Sequence, residues 1–158
     1  MAFLRKPLGR EEALLKMADL CARSEQCAFE IMRKLRLKGL SSHDAGLVVD
    51  ELIERRFIDE CRYARSFSRD KVRFSAWGRL KIRAALLARR IPDSVISEAF
   101  GEVDPEDYAD AATRAARAKA ASLDLSLPQE RLKLYRHLMS RGFESDVARV
   151  TIEKLRNQ

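Results

Sequence analysis

Three stretches carry the same pattern: Leu35-Arg36-Leu37-Lys38-Gly39-Leu40, Leu86-Leu87-Ala88-Arg89-Arg90-Ile91 and Leu138-Met139-Ser140-Arg141-Gly142-Phe143, separated by 51 and 52 residues. Each reads as the end of an amphipathic helix, a tight turn, and a large apolar residue buried just past it. Upstream, Ile31, Ile82 and Leu134 hold equivalent places, as do Phe29, Leu80 and Leu132. Downstream, Leu47, Val95 and Val147 match, then Leu52, Phe100 and Ile152, once three extra loop residues are allowed in the first copy. The first helix of each unit matches less well, with Tyr63-Ala64 paired to Tyr108-Ala109. Near-constant spacing over three copies predicts tandem three-helix units: residues 1–56, a strongly basic 57–103, and 104–158. Units this small bury little core alone, so they are expected to stack into an elongated array that can curve.

Working outward from these turns, the whole chain reads as helix. Ala, Leu, Arg, Lys and Glu dominate, and no stretch alternates as a strand bounded by hairpin turns. Stop and start signals divide it into helices over 10–22, 25–38, 42–56, 60–74, 76–90, 93–101, 105–122, 129–141 and 144–156. Ser24, Ser42, Asp59 and Asp104 are the expected N-caps, and Pro105 and Pro128 sit at first helical positions. Gly39 and Gly142 supply left-handed turns. The fold class is all-α. The alanine-rich stretch Ala109–Ala121 suits either a close-packed helix or a weakly anchored one.

Composition narrows the function. With 158 residues, 46% of them hydrophobic and 35% charged, the chain can afford a core and is not expected to be disordered. No apolar run reaches the length of a membrane span. No apolar segment follows the basic residues near Met1–Glu12, so no secretory leader is expected. Cys21, Cys27 and Cys61 are an odd number without a CxxC pair, which suits free thiols in the cytoplasm. His43 and His137 have no Cys or His partner at metal-ligand spacing, and the six glycines form no phosphate-cradling loop. His43 lies between Ser42 and Asp44, but sequence neighbours rarely converge as a triad, and capping explains them. Asp59 and Glu60 are likewise explained by a helix start. No catalytic residue, metal or cofactor is expected.

Charge is unevenly spread. Against a net of +7 for the chain, residues 55–90 carry twelve basic and three acidic side chains, while 1–54 balance to zero and 91–103 are net negative. Arg62, Arg65, Arg69 and Arg73 share a sector of the helix over 60–74, apart from a stripe of Tyr63, Phe67 and Phe74. The basic row continues through Lys71, Arg79, Lys81, Arg83, Arg89 and Arg90. A solvated helix face explains an isolated basic sector; a row this long with few intervening acids points to a surface for an anionic partner. Guanidinium forks suit carboxylate and phosphate alike, so the row does not name the anion. Trp77, the sole tryptophan, either packs a junction between units, with Gly78 allowing close backbone approach, or serves as a stacking or interface anchor.

The run Phe74-Ser75-Ala76-Trp77-Gly78-Arg79-Leu80-Lys81-Ile82-Arg83-Ala84-Ala85-Leu86-Leu87-Ala88-Arg89-Arg90-Ile91-Pro92 resembles the signature region of the RecX family. So do Phe57-Ile58-Asp59-Glu60-Cys61-Arg62-Tyr63-Ala64 before it and Arg33-Lys34-Leu35 with Lys38-Gly39 in the first unit. The resemblance runs from about residue 12, is strongest over 31–100 and weak after 104. It implies three tandem three-helix repeats, and a bacterial cytoplasmic regulator that binds the recombinase RecA and inhibits its ATPase, strand-exchange and coprotease activities. One departure is Arg90, where the family turn is commonly Lys-Gly-Ile; a side chain is less comfortable than glycine if φ is positive there.

Three functional classes follow. The first is a RecA-filament regulator acting as a monomer through the basic face, with phosphates of single- or double-stranded DNA adding affinity. The second is a sequence-independent nucleic-acid binder acting without RecA. Groove reading is disfavoured, because the helix over 42–56 interleaves Val48, Val49, Leu52 and Ile53 with acids, and that over 93–101 is acidic. The third is a helical adaptor for another acidic protein.

Overall fold

The three repeated turns close in the same way. Each leaves its helix through a residue of positive φ: Gly39 at 94°, Arg90 at 58° and Gly142 at 92°. The following amide donates to the carbonyl five residues back, Leu40 to Leu35, Ile91 to Leu86 and Phe143 to Leu138, each at 3.1 Å. That bond satisfies a carbonyl orphaned at the helix end. It also places Leu40, Ile91 and Phe143 in the interior, where none exceeds 4% exposure. Leu35, Leu86 and Leu138 are fully buried at the helix ends, as are Ile31, Ile82 and Leu134 one helical turn earlier. Arg90 adopts the left-handed conformation despite its side chain, a strain of about 1 kcal/mol that packing of Ile91 must offset. The downstream match shifts by one residue. Leu47 is 38% exposed, and Val48, Ile96 and Ala148 take the buried places.

The computed structural model describes Lys6 and residues 8–158; the expectation about a leader concerns in part residues outside these. Among the described residues there are nine helices and no strand. They are α1 (Arg10–Arg23), α2 (Ala28–Leu37), α3 (Ser42–Glu54), α4 (Glu60–Ser75), α5 (Arg79–Ala88), α6 (Asp93–Gly101), α7 (Pro105–Ala120), α8 (Pro128–Ser140) and α9 (Ser145–Arg156). None is long and apolar enough to cross a membrane.

Several starts differ from expectation for local reasons. Asp59 and Asp104 cap as expected, accepting from the amides of Arg62 at 2.9 Å and Glu106 at 2.7 Å. Ser41, not Ser42, caps α3 by accepting from the Asp44 amide. Ser24 ends α1 in extended conformation, and α2 begins only after buried Cys27. The helix expected from residue 76 starts at Arg79, because Ala76 turns left-handed at φ 51° and Gly78 is extended. On α4 the buried side chains are Ala64, Ser68 and Val72, whereas Phe74 of the expected apolar stripe is 81% exposed.

The chain gathers into two compact units, one ending at Tyr63 and one running from Ala64 to Gln158. In the first, α3 packs on both α1 and α2 around Met17, Ile31, Leu35, Val48 and Leu52. In the second, α5 packs on α6, and α7, α8 and α9 pack mutually. The alanine-rich stretch resolves as close packing: Ala111, Ala112, Ala115 and Ala116 are buried, so α7 approaches its neighbours with methyl groups alone.

Within this second unit, α5 is joined to the turn after α8. Gly78, the N-cap of α5, offers no side chain to the amides of the first turn. Those donors are satisfied from the later repeat: the Gly78 amide donates to Arg141 O at 2.8 Å, Leu80 to Gly142 O at 2.9 Å, and Arg79 to Tyr108 Oη at 3.0 Å. The Tyr108 hydroxyl in turn donates to the Glu144 carboxylate at 2.8 Å, and its ring lies 5.6 Å from that of Phe143. Burial, reinforced by Glu144, pushes the Tyr108 phenol well above the ordinary tyrosine value, with Arg79 pulling the other way. The backbones meet so closely that a Cβ on Gly78 would fall 2.2 Å from Gly142 C.

Gly78→Ala is therefore expected to cost the second unit about 3 kcal/mol, read as a fall of more than about 10 °C in its thermal midpoint. Gly101→Ala, where nothing lies within 4 Å of the added methyl, should leave that midpoint unchanged or raised. Equal midpoints for the two variants would show that the close approach is dispensable. Tyr108 yields a pH test. Its folded state holds the proton more tightly, so its contribution is intact below about pH 10 and is lost progressively as pH rises towards the folded value. Urea titrations above pH 10 should show a steeper loss of stability for the parent chain than for Tyr108→Phe.

Candidate partner-binding surface

The expected basic row lies on α4 and α5 and on the turn after α5, and the structure divides it by what each cation already touches. Arg62 is engaged inside the first unit. Its Nε lies 2.5 Å from Glu25 Oε1, and Nη2 donates to the carbonyls of Arg56 and Phe57 at 3.1 and 3.2 Å. It thus ties down the turn at which Arg56 takes φ 61°. Arg79 is engaged at the α5 junction, 3.8 Å over the Tyr108 ring and 3.4 Å from Glu144 Oε2. Arg83 pairs with Asp93 and lies 5.2 Å from the Phe100 ring centre.

Arg65, Arg69 and Arg73 recur every fourth residue along α4, so they form one ladder. Their partners are acids: Arg65 with Glu102 at 3.4 Å, Arg69 with Asp70 at 3.4 Å and Arg73 with Asp107 at 2.9 Å. The three arginines, Glu102, Asp107 and Asp104 line a cleft of about 110 Å³ together with Val72, Ala99 and Val103. All three pairs stand well exposed. Such pairs contribute about 0–1 kcal/mol each, so a partner's carboxylates or phosphates can replace them at small cost.

Lys71 and Lys81 have a different setting. Both ammonium groups lie 4.5 Å from the ring centre of Trp77, and Lys71 is also 5.4 Å from that of Phe67. Phe67 meets Trp77 edge to face at 6.5 Å and carries the Arg89 guanidinium at 5.1 Å. Arg89 also donates to Ala85 O at 2.9 Å, and Arg90 stands exposed at the left-handed turn. Trp77 is half-buried, beside the glycine that makes the close backbone approach. Sequence reasoning named every one of these cations but missed the acids that fold back onto the α4 ladder. The signal was present in the net negative stretch 91–103 and in Asp104 and Asp107, yet nothing local says which cations they meet.

Two family models match this chain: the second three-helix domain of RecX over residues 59–99 and the third over 106–152. The regulatory protein RecX of Vibrio parahaemolyticus is 30% identical over 139 residues, covering 88% of this chain and 86% of that protein. Its counterpart from Prosthecochloris aestuarii is 32% identical over 126 residues, covering 80% and 82%. The chain belongs to the RecX family. The third-domain match extends the resemblance through the region after 104, where motifs alone were weak. The crystal structure of RecX from Lactobacillus salivarius shares the fold, with a TM-score of 0.77 at 20% identity over 94% of this chain and 97% of that one. A second RecX crystal structure gives 0.78 at 23% identity over 91% and 71%. The second and third RecX three-helix domains thus fall on the second and third of the repeated turns, and the cation row lies mostly within the second.

The ion pairs set the form of a mutational test. Charge reversal of Arg65, Arg69 and Arg73 would set like charges against Glu102 and Asp107, so Arg→Gln is the cleaner change. The triple Gln variant should weaken binding to an anionic partner at least about tenfold while shifting the melting midpoint by only a few degrees, as expected for exposed pairs. Binding unchanged by the triple variant would remove the α4 ladder from the contact.

Proposed function

We propose that this RecX-family chain binds the RecA recombinase, or its filament on single-stranded DNA, and inhibits its ATPase, strand-exchange and coprotease activities in recombination and DNA repair. The reading is supported by membership in a family of regulatory proteins. The observation that carries it is the α4 ladder, where Arg65, Arg69 and Arg73 hold exposed acids that a partner's anions can displace. The chain acts as a monomer in the cytoplasm, where its three free cysteines stay reduced.

The mechanism is differential binding. A regulator changes filament activity only if it binds one filament conformation more tightly than another. Carboxylates displayed by successive recombinase protomers at the right spacing would exchange with Glu102 and Asp107 on the arginine ladder, favouring the conformation that turns over ATP slowly or blocking extension at an end. The energy needed is modest, since a tenfold shift in population corresponds to about 1.4 kcal/mol of differential affinity.

The test is RecA ATPase on single-stranded DNA, titrated with this protein at fixed near-physiological salt and repeated with DNA in excess. A fall in turnover at a small ratio of this protein to RecA, unrelieved by added DNA, is the expected result. Relief by excess DNA would mean that the chain acts as a nucleic-acid binder competing for the strand. No effect at any ratio would overturn the inhibitory reading.

A further inference from the structure

Arg65, Arg69 and Arg73 already face acids, but Lys71 and Lys81 do not. Among the described residues no carboxylate lies within ion-pair distance of Lys71 or Lys81; their ammonium groups are held against aromatic faces instead. A lysine side chain carries about 2 kcal/mol of rotamer entropy, and ring contacts restrain it without neutralising it. The charge therefore stays available to an incoming anion.

The platform itself is fixed. The Trp77 amide donates to Lys71 O at 3.1 Å, Ala76 before it is buried in a left-handed conformation, and Gly78 after it is joined to Arg141 and Gly142. A non-glycine residue held at positive φ marks a segment whose conformation its surroundings dictate. Here the dictated conformation presents a half-buried indole with two ammonium groups at 4.5 Å from its ring centre, beside Phe67.

We propose that Phe67, Lys71, Trp77 and Lys81 form a binding site for single-stranded nucleic acid, in which a base stacks on the indole and the lysines move onto the flanking phosphates. The chemistry selects this ligand. A ring flanked by cations matches the alternation of π-face and phosphate along an unpaired strand. A duplex keeps its base faces inside the stack, and an acidic peptide uses the cations but has no base for the ring. A cation–π contact at an exposed site is worth about 0.5–1 kcal/mol, and base stacking on an aromatic about 1–3 kcal/mol, so a base can take an ammonium group's place on the ring. The site goes beyond the proposed filament contact and does not depend on it, so its test contains no recombinase.

Trp77 is the sole tryptophan, and its fluorescence reports the site directly. The full chain would be titrated with oligothymidylate at several salt concentrations, with polyglutamate and a mixed-sequence duplex in parallel. Oligothymidylate is expected to quench the emission, while polyglutamate and the duplex quench it much less at equal bound charge. By anisotropy of labelled oligothymidylate, Lys71→Gln/Lys81→Gln should lower affinity about tenfold or more. It should also reduce the slope of log affinity against log salt by about 1.4, the value for two phosphate contacts on a single strand. Trp77→Leu should lower affinity at least about fivefold with a smaller change in that slope. Trp77→Phe, which keeps a ring in place, should retain most of the affinity and guards against misreading a folding defect. Absence of quenching by oligothymidylate, or a lysine double variant with unchanged affinity and slope, would overturn the site. Equal quenching by polyglutamate would overturn it in favour of an acidic protein surface.

Discussion

The first turn of α5 cannot complete its own hydrogen bonding, and the second unit is organised around that deficit. A helix start leaves several amides without intrahelical acceptors, and Gly78 has no side chain with which to cap them. The carbonyls of Arg141 and Gly142 and the hydroxyl of Tyr108 supply the missing acceptors. Two backbones reach this distance because Gly78 and Gly142 both lack a Cβ. Arg141 adds donors from the other side, its guanidinium reaching the carbonyls of Ser75 and Ala76. The end of α4, the start of α5 and the turn after α8 are thereby one rigid piece, and the cations on α4 and α5 are displayed from it.

That rigidity matters because the basic surface is not one surface. Linear charge density treats residues 55–90 as a single block, but the folded second unit brings Glu102 and Asp107 to Arg65 and Arg73, Asp93 to Arg83 and Glu144 to Arg79. Lys71 and Lys81, by contrast, hold their ammonium groups against the ring of Trp77. Exposed pairs and ring-held cations answer different anions. The former exchange carboxylates at little cost, and the latter add a stacking face that only a planar ligand uses. The two readings proposed for Trp77 are compatible here: it flanks a junction through its backbone neighbours, and its ring remains half-exposed.

The nine helices of the described residues and the repeat were legible because their signals are local. Lys38-Gly39-Leu40 and Arg141-Gly142-Phe143 announce a left-handed turn followed by a buried residue, and the spacing extends that reading to Arg89-Arg90-Ile91, where no glycine stands. Asp59, Asp104, Pro105 and Pro128 mark helix starts through a side-chain acceptor or a missing amide within three residues. Errors arose where the deciding partner was remote. The helix expected from residue 76 begins at 79 because the backbone there turns to meet residues 141 and 142. Phe74 lies on the geometric stripe of Phe67, yet α4 is buried through Ala64, Ser68 and Val72, a face of small side chains that hydrophobicity alone does not pick out.

By itself, then, the sequence determined the helical class, the three-fold repeat of turn and buried apolar residue, the excess of cations in the second repeat, and the resemblance to RecX. The first three rest on periodicity, turn chemistry and composition, and the resemblance rests on the motif residues of the runs 57–64 and 74–92. The tertiary structure alone decided which cations are paired and which stand on aromatic rings, and that Gly78 and Gly142 join two repeats. Several of those outcomes depend on contacts between residues 30 to 70 positions apart, such as Arg73 with Asp107 and Gly78 with Arg141, and the nearer ones depend on how the chain turns at residues 76–78. Whether a charge is neutralised is set by distance in space, which the order of residues along the chain does not specify.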